Sequence, residues 1–185
     1  VLILAFVIIG VGLGFGALKG ILDDTPNVNA EALIPTEFKT TLYYQNGKEV
    51  ATLANFDSNR EYVYYASIPT DLVNSFVAIE DKRFWEHNGI DVQGIARAFV
   101  QGLKNGGNFD EGASTLTQQL IKNKIFNVGL DETTFLDRLE RKVQEQYLAV
   151  EMEKQISKES IVEYYLNTIY LGEGCYGVET AAKTY

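Results

Sequence analysis

The sequence predicts a mostly α-helical body of one ordinary domain, preceded by a short β element and an apolar N-terminal segment. Three observations carry this. Beyond Pro69 the apolar residues recur at helical spacing rather than in alternation. An Asn-Gly pair sits between two β-prone runs around residues 40–53. The 18 residues from Val1 to Leu18 carry no charge. With 185 residues, 46% of them hydrophobic, the chain can bury a substantial core. Its 11 Tyr and 10 Phe argue against disorder.

Taken in order, Val1–Leu18 reaches the lower limit for a spanning helix at about 1.5 Å of rise per residue. Ile21 and Leu22 can extend it while Lys19 snorkels. Its glycines weaken a helix in water but are tolerated in lipid. A cleaved signal peptide is the competing interpretation, but no A-x-A-like site follows cleanly. The expectation is therefore a membrane anchor over residues 1–22. The opening lacks Met and a basic flank, which suggests a fragment whose orientation cannot be read from flanking charge. Residues 23–37, with Pro26 and Pro35, read as a linker.

Thr40–Tyr44 and Glu49–Leu53 flank Gln45-Asn46-Gly47-Lys48 and predict a hairpin. Arg60–Ala66 is a candidate third strand. Thr70 is placed to cap a helix running to about Arg83. Asp91 is placed to cap a second, with Val92, Ile95, Ala96, Phe99 and Leu103 on one side and Gly106-Gly107 at its end. Phe109–Ala113 reads as a loop, and Ser114 or Thr115 as the start of a third helix. Phe135 to about Lys154 predicts a long fourth helix with Leu136, Leu139, Val143 and Val150 as its buried stripe. Ser157 caps a fifth through Leu171. Gly172-Glu173-Gly174 breaks the chain before a sixth from Val178 to Tyr185.

Composition excludes several functions. Sixteen basic against 25 acidic residues give a net charge of −9, unsuited to broad nucleic-acid binding. A single cysteine, Cys175, excludes an intramolecular disulfide and a cysteine-rich zinc site. A single histidine, His87, excludes a multi-histidine metal centre.

Three constellations could carry chemistry. Glu80 falls on the stripe Val73, Phe76, Val77, Glu80 and Phe84, where desolvation would raise a carboxylate's pKa and suit it to proton transfer. The plainer alternative is a partly exposed Glu paired with Lys82 or Arg83. Arg138, Arg141, Lys142, Glu145 and Ala149 share the face of the fourth helix opposite its leucines. That face is either a solvated ion-pair ladder or a pocket for an anion. Finally, hydroxyls gather at the helix start in Gly112-Ala-Ser-Thr-Leu-Thr-Gln-Gln-Leu-Ile-Lys-Asn123, where backbone N–H groups favour anions. Thr115 with Gln118 fits a capping box, and Gln118 pairs with Lys122 at i, i+4. A well-capped helix explains the hydroxyls equally well.

Weaker signals are His87, which could simply finish a helix, and Glu163, Asn167 and Tyr170 on one helix face. The latter either brace a site or face solvent. Cys175 reads as a packed thiol.

Five segments together resemble the motifs of the peptidoglycan glycosyltransferases (family 51 type) found in class A penicillin-binding proteins and monofunctional transglycosylases. Glu80-Asp-Lys-Arg-Phe-Trp-Glu-His87-Asn-Gly89 resembles the first, Gly112–Asn123 the second and Arg141-Lys-Val-Gln-Glu145 the third. Lys158-Glu-Ser-Ile-Val-Glu-Tyr-Tyr-Leu-Asn167 resembles the fourth, and Gly177–Tyr185 the fifth, cut off at its end. The order is the family's, over roughly residues 38–185. The resemblance implies a lysozyme-like lobe with a small membrane-associated jaw, incomplete at the C-terminus. It also implies polymerisation of lipid II with inversion to β-1,4 bonds and release of undecaprenyl diphosphate. Glu80 would be the general base and Glu145 would orient or stabilise the donor. Asp81, Phe84, His87, Ser114, Thr115, Gln118, Gln119, Lys122, Asn123, Arg141, Lys142, Glu163 and Asn167 would bind substrate.

The resemblance implies no obligate cofactor. Divalent cations can stimulate members of the family, but no metal site is legible here. The implied partners are lipid II, the growing glycan strand and the bacterial cytoplasmic membrane, with room for cell-wall synthesis or division proteins. The catalytic domain would be extracytoplasmic on a single-pass anchor. The competing functions are a lysozyme-like hydrolase or lytic transglycosylase, which also uses a glutamic acid, and a non-enzymatic membrane scaffold. The cations Lys122, Arg141 and Lys142 argue against the former, and intact Glu80 and Glu145 against the latter.

Overall fold

The computed structural model describes residues 14–55, 58–106, 112–126 and 134–185. Most of the expected anchor, residues 1–13, lies outside them, as do Phe109 to Glu111 of the expected loop. Residues 14–23 are helical. No helix among the described residues is long and apolar enough to cross a membrane.

The predicted hairpin forms from β1 (Thr40–Tyr43) and β2 (Glu49–Leu53), antiparallel, with Thr41 opposite Thr52 and an irregularity between Leu42 and Tyr43. Gly47 turns the chain at φ +80, a region open to glycine. The candidate third strand does not form. Arg60 makes one isolated bridge to Tyr176, and Tyr65–Ser67 is a 3-10 turn. The physical reason is that residues 62–65 find side chains rather than a neighbouring strand. Val63 N–H donates to Asn167 Oδ1 (2.8 Å), Asn167 Nδ2 donates back to the Val63 carbonyl (2.8 Å), and Tyr65 N–H donates to Glu163 (2.6 Å).

Six helices follow: α1 (Thr70–Glu80), α2 (Val92–Lys104), α3 (Leu116–Ile125), α4 (Phe135–Glu153), α5 (Lys158–Thr168) and α6 (Val178–Thr184). Asp91, Thr115 and Ser157 cap α2, α3 and α5 through their side chains, each accepting an N–H three residues on. Thr134 and Asp137 close a capping box on α4. Thr70 is not a cap; it is the first residue of α1, after Pro69. Helix α1 stops at Glu80 instead of Arg83 because Asp81 leaves the helix to accept the Leu116 N–H and to meet His87. Helix α5 stops at Thr168 because Ile169 turns its carbonyl to Gly177 N–H (2.8 Å).

The core lies between α3, α4 and α5. Leu116, Leu120, Ile121, Leu148, Met152, Ile161, Val162 and Leu166 are buried there, with Phe84 from the loop after α1. Leu33, in the segment that reads as a linker, is also fully buried in this core, so that segment packs against the body.

Two apolar stripes differ from expectation. On α4, Leu136 is 70% and Leu139 48% exposed, while Gln144, Glu145, Leu148, Ala149 and Met152 are buried. Periodicity marks a stripe but not which surface covers it, and here the C-terminal half of the helix packs with its other face inward. On α2, Val92, Phe99 and Leu103 are exposed among the described residues.

Candidate active site

Glu80 is the last residue of α1, and its position decides the site. Helical spacing places it on the apolar stripe, yet only Val73, Val77 and Phe84 of that stripe are buried; Glu80 itself is exposed. The expected desolvated carboxylate is corrected to one that opens onto a cleft. It pairs with neither Lys82 nor Arg83; instead Gln119 Nε2 donates to Glu80 Oε2 (3.0 Å). The cleft holds about 430 Å³ and is lined by Ile79, Glu80, Gly112, Ser114, Gln119, Lys122, Asn123 and Lys142. Six of these eight were expected at the site from the sequence.

Two cations, Lys122 and Lys142, line the same cleft as Glu80. Glu145 of α4 is 0% exposed and holds Arg141 and Lys142. Its Oε1 accepts from Arg141, and its Oε2 accepts from Lys142 Nζ (2.7 Å). Lys142 also donates to Ser114 Oγ (2.8 Å), tying α4 to the loop before α3. Thus Arg141, Lys142 and Glu145 form neither a solvated ladder nor a free pocket; they are a braced, partly buried cluster with one excess positive charge. Lys122 points into the same cleft and forms no ion pair among the described residues.

The start of α3 serves differently from expectation. Leu116 N–H donates to Asp81 Oδ2 (3.0 Å) and Gln118 N–H to Thr115 Oγ1 (3.2 Å). These two N–H groups are occupied by the protein itself and are not turned to the cleft, which Lys122, Lys142, Ser114 and Asn123 line. The capping box is half made. Gln118 turns its amide to the Gly89 carbonyl (3.2 Å), which Thr115 Oγ1 also reaches (2.8 Å). Thr115 and Gln118 are buried, and Gln118 braces the frame instead of lining the cleft; Gln119 takes the cleft position.

Gly89, at φ +88, fixes the loop that carries these contacts. A Cβ there would lie 2.6 Å from the Ala149 backbone, so the loop and α4 touch main chain to main chain. Asp81 is buried and His87 half-buried beside it, with Nε2 of His87 3.0 Å from both carboxylate oxygens. His87 therefore does more than end a helix. Phe84 is fully buried beneath the site, where the Lys158 ammonium stands 4.2 Å above its ring and pairs with Glu153 (2.8 Å).

Glu163 and Asn167 lie apart from the cleft. Tyr62 and Tyr65 occupy the Glu163 carboxylate, and Asn167 donates both its N–H groups to backbone carbonyls. Both side chains brace residues 62–65 and are not brought together with Glu80. Cys175 is a buried thiol beside Thr184, away from the cleft. Among the described residues no group of three His, Cys, Asp or Glu side chains could hold a metal.

Sequence reasoning missed Tyr165, whose hydroxyl reaches Gln119 (3.2 Å). It sits on the buried stripe of α5, where spacing alone marks it as core. Arg97 and Lys82 were also missed. They line a smaller hollow of about 70 Å³ that Glu80 also borders, together with the Arg83–Asp91 ion pair.

Residues 46–185 match the family model described as Transglycosylase. The chain is 42% identical over 173 residues to penicillin-binding protein 1A of Clostridium novyi (strain NT), covering 92% of this chain and 20% of that protein. It is 37% identical over 183 residues to penicillin-binding protein 1A of Streptococcus pneumoniae (strain ATCC BAA-255 / R6), covering 98% and 24%. Against penicillin-binding protein 1F of Bacillus subtilis (strain 168) it is 43% identical over 141 residues, covering 76% and 18%. The chain thus spans about a fifth to a quarter of the length of these relatives. A family match over residues 46–185, laid on a cleft that joins Glu80 to Lys122 and Lys142, places this chain in the transglycosylase family.

Proposed function

We propose that the chain is the catalytic part of a peptidoglycan glycosyltransferase that joins lipid II units into β-1,4-linked glycan strands. The observation that carries this is a single cleft with an exposed carboxylate, Glu80, and the cations Lys122 and Lys142. Glu80 accepts the proton of the acceptor 4-hydroxyl as its oxygen attacks the donor's anomeric carbon with inversion. The bond to the diphosphate breaks, and undecaprenyl diphosphate leaves with the electron pair. Charge grows on the departing phosphate, which Lys122, Lys142 and Ser114 stabilise. Glu145 cannot reach substrate directly; it acts by holding Arg141 and Lys142 in place. Glu80 needs access to a sugar hydroxyl, and its exposed position supplies it.

The lipid tails of donor and product call for a membrane surface. Residues 1–22 would supply an anchor and the exposed apolar face of α2 (Val92, Phe99, Leu103) a second contact, with the catalytic cleft outside the cytoplasmic membrane. The test is incubation of the full-length protein with labelled lipid II, beside Glu80→Gln. Polymer from the wild type and at least a tenfold loss in the variant are expected, given the 10²–10⁴-fold worth of acid–base catalysis. Muropeptide fragments in place of polymer would favour the hydrolase, and no turnover at all would favour a scaffold.

A further inference from the structure

Tyr165, buried on α5, touches the base's surroundings from two sides. Its ring packs edge-on against Phe76, 6.2 Å between centroids, one turn before Glu80 on α1. Its hydroxyl donates to Gln119 Oε1 (3.2 Å), and Gln119 Nε2 donates to Glu80 Oε2 (3.0 Å). Three elements thereby meet in one line: α5, α3 and α1.

The chemistry of the two ends fixes the middle. A carboxylate only accepts, so it demands the N–H side of the Gln119 amide. The other end must then present a donor to the amide oxygen. Tyr165 is 4% exposed, and burial, followed by the nearby charge of Glu80, pushes its pKa up. The hydroxyl keeps its proton across the working pH range and holds the amide in one orientation. Without it, Gln119 can turn its oxygen toward Glu80 and repel the charge that must accept a proton.

The geometry points to Tyr165 as a positioning residue for the base: it locks the Gln119 amide so that its N–H holds Glu80 at the cleft. This rests on the transfer chemistry proposed above. Tyr165 touches no reacting atom and acts only through Gln119.

The experiment uses the full-length protein in detergent micelles and four forms: wild type, Tyr165→Phe, Gln119→Leu and the double variant. Phe keeps the ring and its packing on Phe76 and removes one hydroxyl. Lipid II polymerisation should show a roughly three- to tenfold lower kcat in Tyr165→Phe with KM within about twofold, the scale of one hydrogen bond. In the Gln119→Leu background, Tyr165→Phe should change kcat no further. An equal loss in both backgrounds, or a loss carried wholly in KM, would overturn the assignment.

A second readout needs no turnover. With ¹⁵N-glutamine labelling, the Gln119 side-chain amide, identified by its disappearance in Gln119→Leu, should exchange slowly with solvent in the wild type and at least several-fold faster in Tyr165→Phe. Unchanged exchange would overturn the lock whatever the activity. A wild type that makes no polymer but shows the exchange effect would refute the proposed activity while supporting the lock.

Discussion

Replacing Glu145 by Gln removes one buried charge at nearly constant volume. The carboxylate is fully enclosed and accepts from Arg141 and Lys142. A hydrogen bond to a charged group is worth about 1.5–3 kcal/mol. The Arg141 side chain is only 12% exposed, so its share is lost nearly in full when the negative charge goes. That of Lys142 is 40% exposed and can turn to water, so its share is discounted. Gln retains one acceptor oxygen. The expected cost is about 2–4 kcal/mol, which lowers the Tm of the transglycosylase unit by roughly 5–15 °C. Differential scanning calorimetry of the full-length protein measures it. A cost under about 1 kcal/mol would refute the description of Glu145 as a brace for two cations.

Further outcomes follow from the same cleft and its frame. Lys122→Ala should cut polymerisation roughly ten- to a hundredfold and weaken inhibition by a diphosphate lipid analogue, since a cation in the cleft holds a phosphate at about 1.5–3 kcal/mol; unchanged inhibitor affinity speaks against an anion site. Asp91→Ala should cost about 1 kcal/mol at neutral pH through the lost α2 cap. Burial pushes the Asp91 carboxyl up, but the Arg83 guanidinium and the Gly94 N–H outweigh it and hold it below the usual range. Its ionised form therefore stabilises the fold above the unfolded pKa, and that contribution is lost as pH falls through the folded one. The gap between wild type and variant in thermal melts should narrow in acid. Deleting residues 1–22 should release the protein from liposomes only partly, and adding Phe99→Asp and Leu103→Asp should complete the release in flotation.

Much of this fold is legible because its signals are local. Asp91, Thr115, Ser157 and Asn46-Gly47 act within three residues of themselves, so caps and turn follow from residue type. The site is legible in membership but not in division of labour. Spacing marked Glu80, Lys122 and Lys142 in three separate segments, the resemblance to the glycosyltransferase motifs joined them, and they share a cleft. Spacing could not show that Asp81 would take the Leu116 N–H, or that Gln118 would face inward and Gln119 outward. Those choices depend on contacts between residues some 30 or more positions apart. Leu136 and Leu139 mislead for the same reason. Their pattern is sound, but the surface opposite them is not that of α3 or α5.

The bare contact at Gly89 sets a tolerance on the whole machine. Side chains that separate two elements have rotamers, and the gap they hold can breathe as they turn. Here the loop leaving the Glu80 helix rests on the α4 backbone at Ala149, one turn beyond Glu145, with no side chain between. The same residue's carbonyl receives Thr115 and Gln118 at the head of α3. Glu80, Glu145 and the start of α3 are thus referenced to one rigid datum, a hard stop with nothing to rotate. Adding even a methyl group would act as a shim, moving the base, the cation brace and the loop bearing Ser114 apart together without altering any of them chemically.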